Sequence, residues 1–548
     1  MKEGISMKRF LCVLLAMLLV CSPALAEFDL YIKQYPLSES GEAIVNDVLF
    51  PENWQSVEDN NRVFYEIFVG SFSDSNGDGI GDLRGIINRM DYLNDGDPDS
   101  GLSLGVEGIW LTPIFLSPSY HKYDVADYYQ IDPQFGTMED LRELIEVCHE
   151  RDVKIILDLV INHTSTQHSN FSKFRSAHLM QNPDNLHYDY YTWLDGSATT
   201  PAGRTFAKVT GRDLLYEANF SEAMPELNYD SELVRQDMLD VALYYLNMGV
   251  DGFRFDAAKY IYFGDHAKNA DFWNWYIGEM RKVKPDVYTV AEVWDGDGVI
   301  DQYLPVTSCF NFTASQTAGI IAETAGGGDV NRFTKYVESY VHGIDAISNN
   351  ALPTLFISNH DMDRAAGYLT MASGRMKVAA SLYLLSPGSP FIYYGEEIGL
   401  RGSRGGANTD ANRRMAMLWG DGDTVKNPVG TTYTKQTTYS AKDLARMSDS
   451  LLNHYKQLIM IRKANPEIAR GDYKALAFEG TKVGGFTSTW NGSTVAVIHN
   501  TTNGDKTIDL SQATDIPFTT LAAVAGAGQA TLDGTTLTLA GQTSVVLR

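Results

Sequence analysis

From Arg62 onward, apolar runs of strand length alternate with amphipathic segments of helix length, and this alternation limits the possible folds of the 548-residue chain more than any other feature. The runs cover residues 63–69, 106–115, 153–161, 251–257, 287–294, 309–312, 355–358 and 390–394. Helical periodicity fills intervals such as 138–151, 231–248 and 374–385. Strands that are apolar on both faces and separated by helices require a parallel sheet covered on both sides. Eight such units predict an α/β fold of the (β/α)8 TIM-barrel type, occupying 62–162 and 223–465.

The remaining stretches read differently. Residues 163–222 are polar and too long for a turn, which predicts a small domain inserted after the third strand. A long helical region over 441–465 follows the barrel, and 471–548 changes to short Thr and Val runs with Gly turns, the pattern of a C-terminal antiparallel β-sandwich. At the other end, Lys8 and Arg9 precede an apolar run to Val20 and an Ala24-Leu25-Ala26 ending. Residues 1–26 therefore read as a secretory signal peptide, too short to span a bilayer, with Met7 a possible start. Val20 is bulkier than the small residue usual before a lipidated cysteine, so free secretion, extracellular or periplasmic, is favoured over anchoring at Cys21. Residues 27–61 form an N-terminal extension that the sequence leaves without a role.

The chain has 44 basic and 69 acidic residues, a net charge of -25. A field of that sign repels phosphate backbones and anionic lipid, which makes nucleic acid and membrane surfaces poor candidate partners and favours a neutral substrate or a cation. Removing the leader takes Cys12 and Cys21 with it. Cys148 and Cys309 remain, too few for a disulfide framework and without metal-site spacing. Cys148 falls on the apolar stripe of a helix and reads as core. No further transmembrane segment is evident, and a monomer is expected.

In such a barrel the chemistry sits at the C-terminal ends of the strands. The third run ends Asp158-Leu159-Val160-Ile161-Asn162-His163, the fourth reads Gly252-Phe253-Arg254-Phe255-Asp256, the fifth ends Ala291-Glu292-Val293-Trp294, and the seventh ends Ser358-Asn359-His360-Asp361. Arg254 and Asp256, two apart on a strand, share a face. A guanidinium beside a carboxylate favours its charged form, so Asp256 is the candidate nucleophile. Glu292, facing anionic neighbours, holds its proton by like-charge repulsion as a general acid must. Asp361 remains to position substrate and steady positive charge. Two carboxyls from adjacent strands without a cofactor motif describe retaining glycoside hydrolysis, with the carboxyls ~5 to 5.5 Å apart.

Asp74-Ser75-Asn76-Gly77-Asp78-Gly79-Ile80-Gly81-Asp82 places side-chain oxygens of Asp74, Asn76, Asp78 and Asp82, and the Ile80 carbonyl, at EF-hand-like spacing with Gly at the turn. This predicts a Ca²⁺ loop, although Gly85 stands where a bidentate Glu would close it. The alternative is a Gly-rich Asx turn without metal.

These segments together resemble glycoside hydrolase family 13, the α-amylase family, from about Arg62 to the C-terminus. Residues 158–163, 252–259, Glu292 and 356–361 are similar to its four main motifs, and Met224-Pro225-Glu226-Leu227-Asn228 to a fifth, usually written with Asp in the middle. The resemblance implies Asp256 as nucleophile, Glu292 as acid/base and Asp361 as transition-state stabiliser. It implies Arg254, His163 and His360 as subsite binders, and Lys259 as a contact to sugar beyond the cut. His121-Lys122-Tyr123-Asp124 resembles an H-G-Y-D stretch, with Lys122 replacing Gly, and implies Tyr123 as a platform for the sugar. A Ca²⁺ loop after the first strand is also a family feature; a second family calcium site using Asn162 is less secure, because Tyr260 stands where many members have His. The resemblance implies endo-cleavage of α-1,4 bonds in starch or maltodextrin, and Ala257, where α-1,6-specific relatives tend to carry Val, agrees. An exo-acting α-glucosidase or neopullulanase-like enzyme stays open if Asp124 pairs with Arg401 or Arg404. A non-catalytic sugar-binding protein is disfavoured because all three carboxylates are present.

Overall fold

The computed structural model describes residues 33–52, 54–370, 374–526 and 528–548. The expected signal peptide over 1–26, including Cys21, lies outside the described residues. Seven strands form one parallel sheet: β1 (Phe64–Ile67), β2 (Gly108–Leu111), β3 (Lys154–Leu159), β4 (Gly252–Phe255), β5 (Tyr288–Ala291), β6 (Ser308–Cys309) and β7 (Phe391–Tyr393). Their spatial order is β6-β5-β4-β3-β2-β1-β7. The run at 355–358 does not form a regular strand, yet it fills the gap between β6 and β7. Asn311 N donates to Thr354 O and Phe391 N to Leu355 O, each at 3.0 Å, so the ring of the barrel is closed by backbone hydrogen bonds.

Strand alternation decides what fills the barrel. Phe64, Trp110, Ile156, Tyr288, Val290, Phe310, Phe356 and Phe391 form a buried cluster of their own, with Phe64 stacked between Tyr288 (4.7 Å) and Phe391 (4.9 Å). A Cβ on Gly108 would lie 2.4 Å from the Phe64 ring, so β2 needs glycine there. Two residues further along the same parity come Glu66, Asp158, Arg254 and Glu292. The sequence that packs the floor with rings thereby also sets charges at the mouth.

The helices that matter for this scaffold are α1 (Leu83–Asn88), α2 (Met138–His149), α3 (Glu232–Met248), α4 (His266–Val283), α5 (Val330–Ile347), α6 (Arg375–Leu384) and α7 (Leu451–Ala464). α2 opens with a capping box between Thr137 and Asp140, and its buried stripe is Leu141, Leu144, Ile145 and Cys148. The helical region expected over 441–465 is two helices. Ala441–Ala445 ends before Ser450, whose side chain accepts from Asn453 N and starts α7 afresh. Nearly every side chain of α7 is buried, in part because the N-terminal extension covers it: Trp54 Nε1 donates to Lys463 O (2.8 Å) and Gln457 Nε2 to Asp47 Oδ2 (2.7 Å).

Within 163–222 the chain forms a helix (Ser169–Leu179) and a three-stranded antiparallel sheet of Trp193–Asp195, Leu214–Glu217 and Phe206–Lys208, in that spatial order. The C-terminal region is antiparallel throughout, with a five-stranded and a three-stranded sheet around a core that includes Leu476, Ile498, Leu537, Leu539 and Leu547. Cys148 and Cys309 are buried and unpaired. Among the described residues no helix is long and apolar enough to cross a membrane.

Candidate active site

Arg254, fully buried on β4, organises the mouth. Its Nη1 lies 2.9 and 3.0 Å from the two carboxylate oxygens of Asp158 and 2.7 Å from Asp256 Oδ1. Its Nη2 is 3.1 Å from Glu292 Oε2. The expected nucleophile and the expected acid therefore share one guanidinium through different nitrogens. Glu292 Oε2 also accepts from Ala257 N at 2.9 Å. That amide is aimed by a left-handed backbone at Ala257 (φ 47°), a strained conformation for a residue with a Cβ, directly after Asp256.

Three carboxylates around one cation cannot all ionise cheaply in a buried site. Burial raises Asp256 above its ordinary carboxylate range, more strongly than Arg254 pulls it down. The guanidinium favours the charged form as expected from sequence, and burial is the opposing cause that the sequence does not show. Glu292 is also raised, first by burial, with Asp256 and Asp361 adding to it and Arg254 opposing. Like-charge repulsion is thus a second cause, not the main one. Asp158 is pushed up to about 7, again by burial against the pull of Arg254. Glu292 meets Arg254 through Nη2, apart from the Nη1 that Asp158 and Asp256 share.

The opposite wall has another character. His360 Nδ1 is 2.5 Å from Glu66 Oε1, and its Nε2 is 3.0 Å from Asp361 Oδ2. Burial opposes the imidazolium, but Asp361 and Glu66 hold its pKa up at about 10. Burial likewise opposes ionisation of Asp361, yet His360, Arg414 and Arg254 keep it well below the ordinary range. Arg414 Nη2 donates to Asp361 Oδ1 at 2.6 Å and Nη1 to Tyr120 OH at 3.1 Å.

Tyr123 joins the two walls. Its hydroxyl donates to Asp158 Oδ2 (2.9 Å) and lies 2.7 Å from His360 Nε2, with the two rings stacked. Lys122 before it has φ 65°, which explains the advantage of Gly there; its buried ammonium is held instead by Asp132 at 2.8 Å. His163 and His121 are both lowered to about 4 by burial and are neutral; His163 Nε2 lies 3.2 Å from Tyr123 O, and His121 Nδ1 accepts from Tyr123 N. Lys259 donates to Trp294 O (2.7 Å) and Asp295 Oδ2 (2.9 Å). Asp124 accepts from the hydroxyls of Ser117 and Ser119. The arginine pairing that would wall off the groove is not formed: Arg404 pairs with Asp410 and Arg401 N donates to Gln436.

Two members of this constellation escaped the reading of the sequence. Glu66 is a lone acid inside a buried strand, and its inward parity was the available signal. Arg414 lies in the long loop after β7 beside Arg413, and nothing local distinguishes it from Arg401 or Arg404.

The loop at 74–82 folds into Asx turns. Asp74 accepts from the amides of Asn76, Gly77 and Gly79 and from Thr424 Oγ1; Asn76 Oδ1 accepts from Asp78 N, and Asp78 Oδ1 from Ile80 N. Asp82 caps α1 through Gly85 N and takes both donors of Ser75. At two lone pairs per oxygen the four donors saturate Asp74, and capacity is left on Asn76, Asp78 and the Ile80 carbonyl, hard oxygens of the kind Ca²⁺ takes; among the described residues no three or more His, Cys, Asp or Glu side chains are gathered as a metal site. Glu226 is different: burial and Glu217 push it up to about 8, which does not favour a charged metal ligand there.

The family profile described as alpha amylase, catalytic domain, matches residues 66–471. Alpha-amylase 3 of Dictyoglomus thermophilum is 35% identical over 459 residues, covering 82% of this chain and 87% of that protein. A 4-alpha-glucanotransferase of Thermotoga neapolitana is 31% identical over 457 residues, covering 80% and 96%. The solved structure of Amy13B from Eubacterium rectale superimposes with a TM-score of 0.82 at 32% identity, over 94% of this chain and 99% of that one.

Proposed function

The chain belongs to the α-amylase family, glycoside hydrolase family 13, and from that premise we propose that it is an α-amylase cutting internal α-1,4 bonds of starch and maltodextrins with retention. The observation that carries this reading is the sharing of Arg254 by Asp256 and Glu292 at the barrel mouth. Asp256 attacks the anomeric carbon while Glu292 gives its proton to the departing glycosidic oxygen, leaving a glycosyl ester on Asp256. Glu292, now ionised, then takes a proton from water as that water cleaves the ester. Asp361, fixed ionised by His360 and Arg414, opposes the positive charge that builds on the sugar in both steps. Tyr123, held edge and face by Asp158 and His360, offers its remaining surface to the ring, and Lys259 lies toward the leaving group.

Endo action is supported by Asp124, whose carboxylate is taken up by Ser117 and Ser119, leaving the groove without the arginine wall an exo enzyme would need. The loop from Asp74 to Asp82 would hold Ca²⁺ and stiffen the segment after β1, with no part in bond cleavage. The leader at 1–26 directs the protein out of the cytoplasm, and it works as a monomer.

A second reading is transfer. A relative is named 4-alpha-glucanotransferase, and the same glycosyl ester can pass to a sugar hydroxyl in place of water. A time course of products from amylose, pullulan, isomaltose and a maltodextrin of defined length separates the readings. The amylase reading expects a spread of maltodextrins before glucose from amylose. Glucose as the first main product overturns it in favour of an exo enzyme, and chains longer than the starting maltodextrin overturn it in favour of transfer.

A further inference from the structure

A cavity of about 460 Å³ lies between α5 and the short helix Asp297–Ile300, a volume in the range of small-molecule sites. Tyr336 and Tyr340, one turn apart on α5, present near-parallel rings to it, with centroids 6.5 Å apart and an angle of 15°. Asp297 and Asp301 form the opposite wall. At its floor Asn311 is 1% exposed. Its Oδ1 accepts from Tyr336 OH and from Ala314 N, both at 2.9 Å, and the backbone donor fixes the orientation of the amide. Nδ2 is then left without a partner, a buried donor that costs free energy until something accepts from it.

The chemistry of the walls selects the ligand. Among the described residues lining the cavity there are two carboxylates and no Lys, Arg or His, so an anion is repelled. Carboxylates that accept from hydroxyls, and flat aromatic and aliphatic surface for C–H faces, together match a neutral sugar. None of the lining residues is hydrogen-bonded or ion-paired to Arg254, Asp256, Glu292 or Asp361.

We propose that this cavity is a second carbohydrate-binding site, which takes a segment of α-glucan outside the catalytic mouth. The choice of α-glucan rests on the amylase reading above. Gly343, on the same face of α5, provides the means to close it, because a Cβ built there meets no atom within 4 Å and a large side chain has room to enter. The test is calorimetric titration of maltoheptaose into full-length Glu292→Gln protein, with and without Gly343→Trp. Two sites per chain are expected in the first and one in the second, while Gly343→Trp in the active enzyme leaves turnover of a short maltoside unchanged. Tyr336→Ala serves as an independent variant and should weaken the second site at least about tenfold. One site in both proteins, or two in both, overturns the proposal and leaves the amylase reading intact. No maltoheptaose binding to Glu292→Gln overturns the α-glucan reading itself.

Discussion

The two walls of the barrel mouth carry similar residues and treat protons in opposite ways. On one, Asp158, Asp256 and Glu292 crowd a single guanidinium, and burial raises all three. On the other, Asp361 faces His360, which it shares with Glu66, and Arg414, with Arg254 adding to their pull, and is driven far down. Carboxyl roles therefore follow how many cations each acid faces against its burial: three acids sharing one guanidinium are raised, whereas Asp361, contacted by both His360 and Arg414, is lowered.

Removing the mobile proton should have the largest effect. Glu292→Gln is expected to lower kcat by roughly 10²-fold to 10⁴-fold with maltodextrin affinity retained, measured by steady-state kinetics and binding on the same preparation. Next comes the shared cation. Arg254→Met leaves three buried carboxyls without their partner and should destabilise the fold by about 3–5 kcal/mol, read from denaturant unfolding; unfolding at the wild-type midpoint would contradict the assigned geometry.

The cation-rich wall should respond more mildly. Arg414→Gln leaves Asp361 with His360 and is expected to cost about tenfold in kcat/KM, or ~1.4 kcal/mol, with the loss concentrated in kcat. A separate effect, on stability and not on rate, is in pH dependence. The folded protein holds the His360 proton up to about 10, whereas an unfolded chain releases it near ~6.5. The stability this charge supplies is thus complete below ~6.5 and lost as pH rises toward the folded value. Unfolding midpoints should fall over that window in the wild type and fall less in His360→Asn; parallel curves would place the proton elsewhere.

How much of this was legible follows from the range of each interaction. Parity along a strand is local, so Asp158, Arg254 and Asp256 could be placed on one face from spacing alone, and the structure brings them together with Glu292. Arg414 reaches Asp361 from 53 positions away through a loop whose course no periodicity reveals, and the sequence reading looked instead to Arg401 and Arg404. The strand at 355–358 was expected from its apolar run, but the barrel needs only a few backbone bonds there. Ser450 splits the helix expected over 441–465, because a cap acts only once the chain arrives from outside the helix. The upward shift of Asp256 was out of reach for a similar reason: the neighbouring arginine that favours its charge is visible in the text, and the depth of burial that opposes it is not.

The central claim is that Asp256 alone bonds to the sugar while Glu292 moves the proton. Mass spectrometry of the enzyme incubated with 5-fluoro-α-glucosyl fluoride tests it directly, since a slow-turnover donor accumulates the ester. The account predicts a single glycosyl adduct on the peptide carrying Asp256. An adduct on Asp361, Asp158 or Glu292 would contradict it.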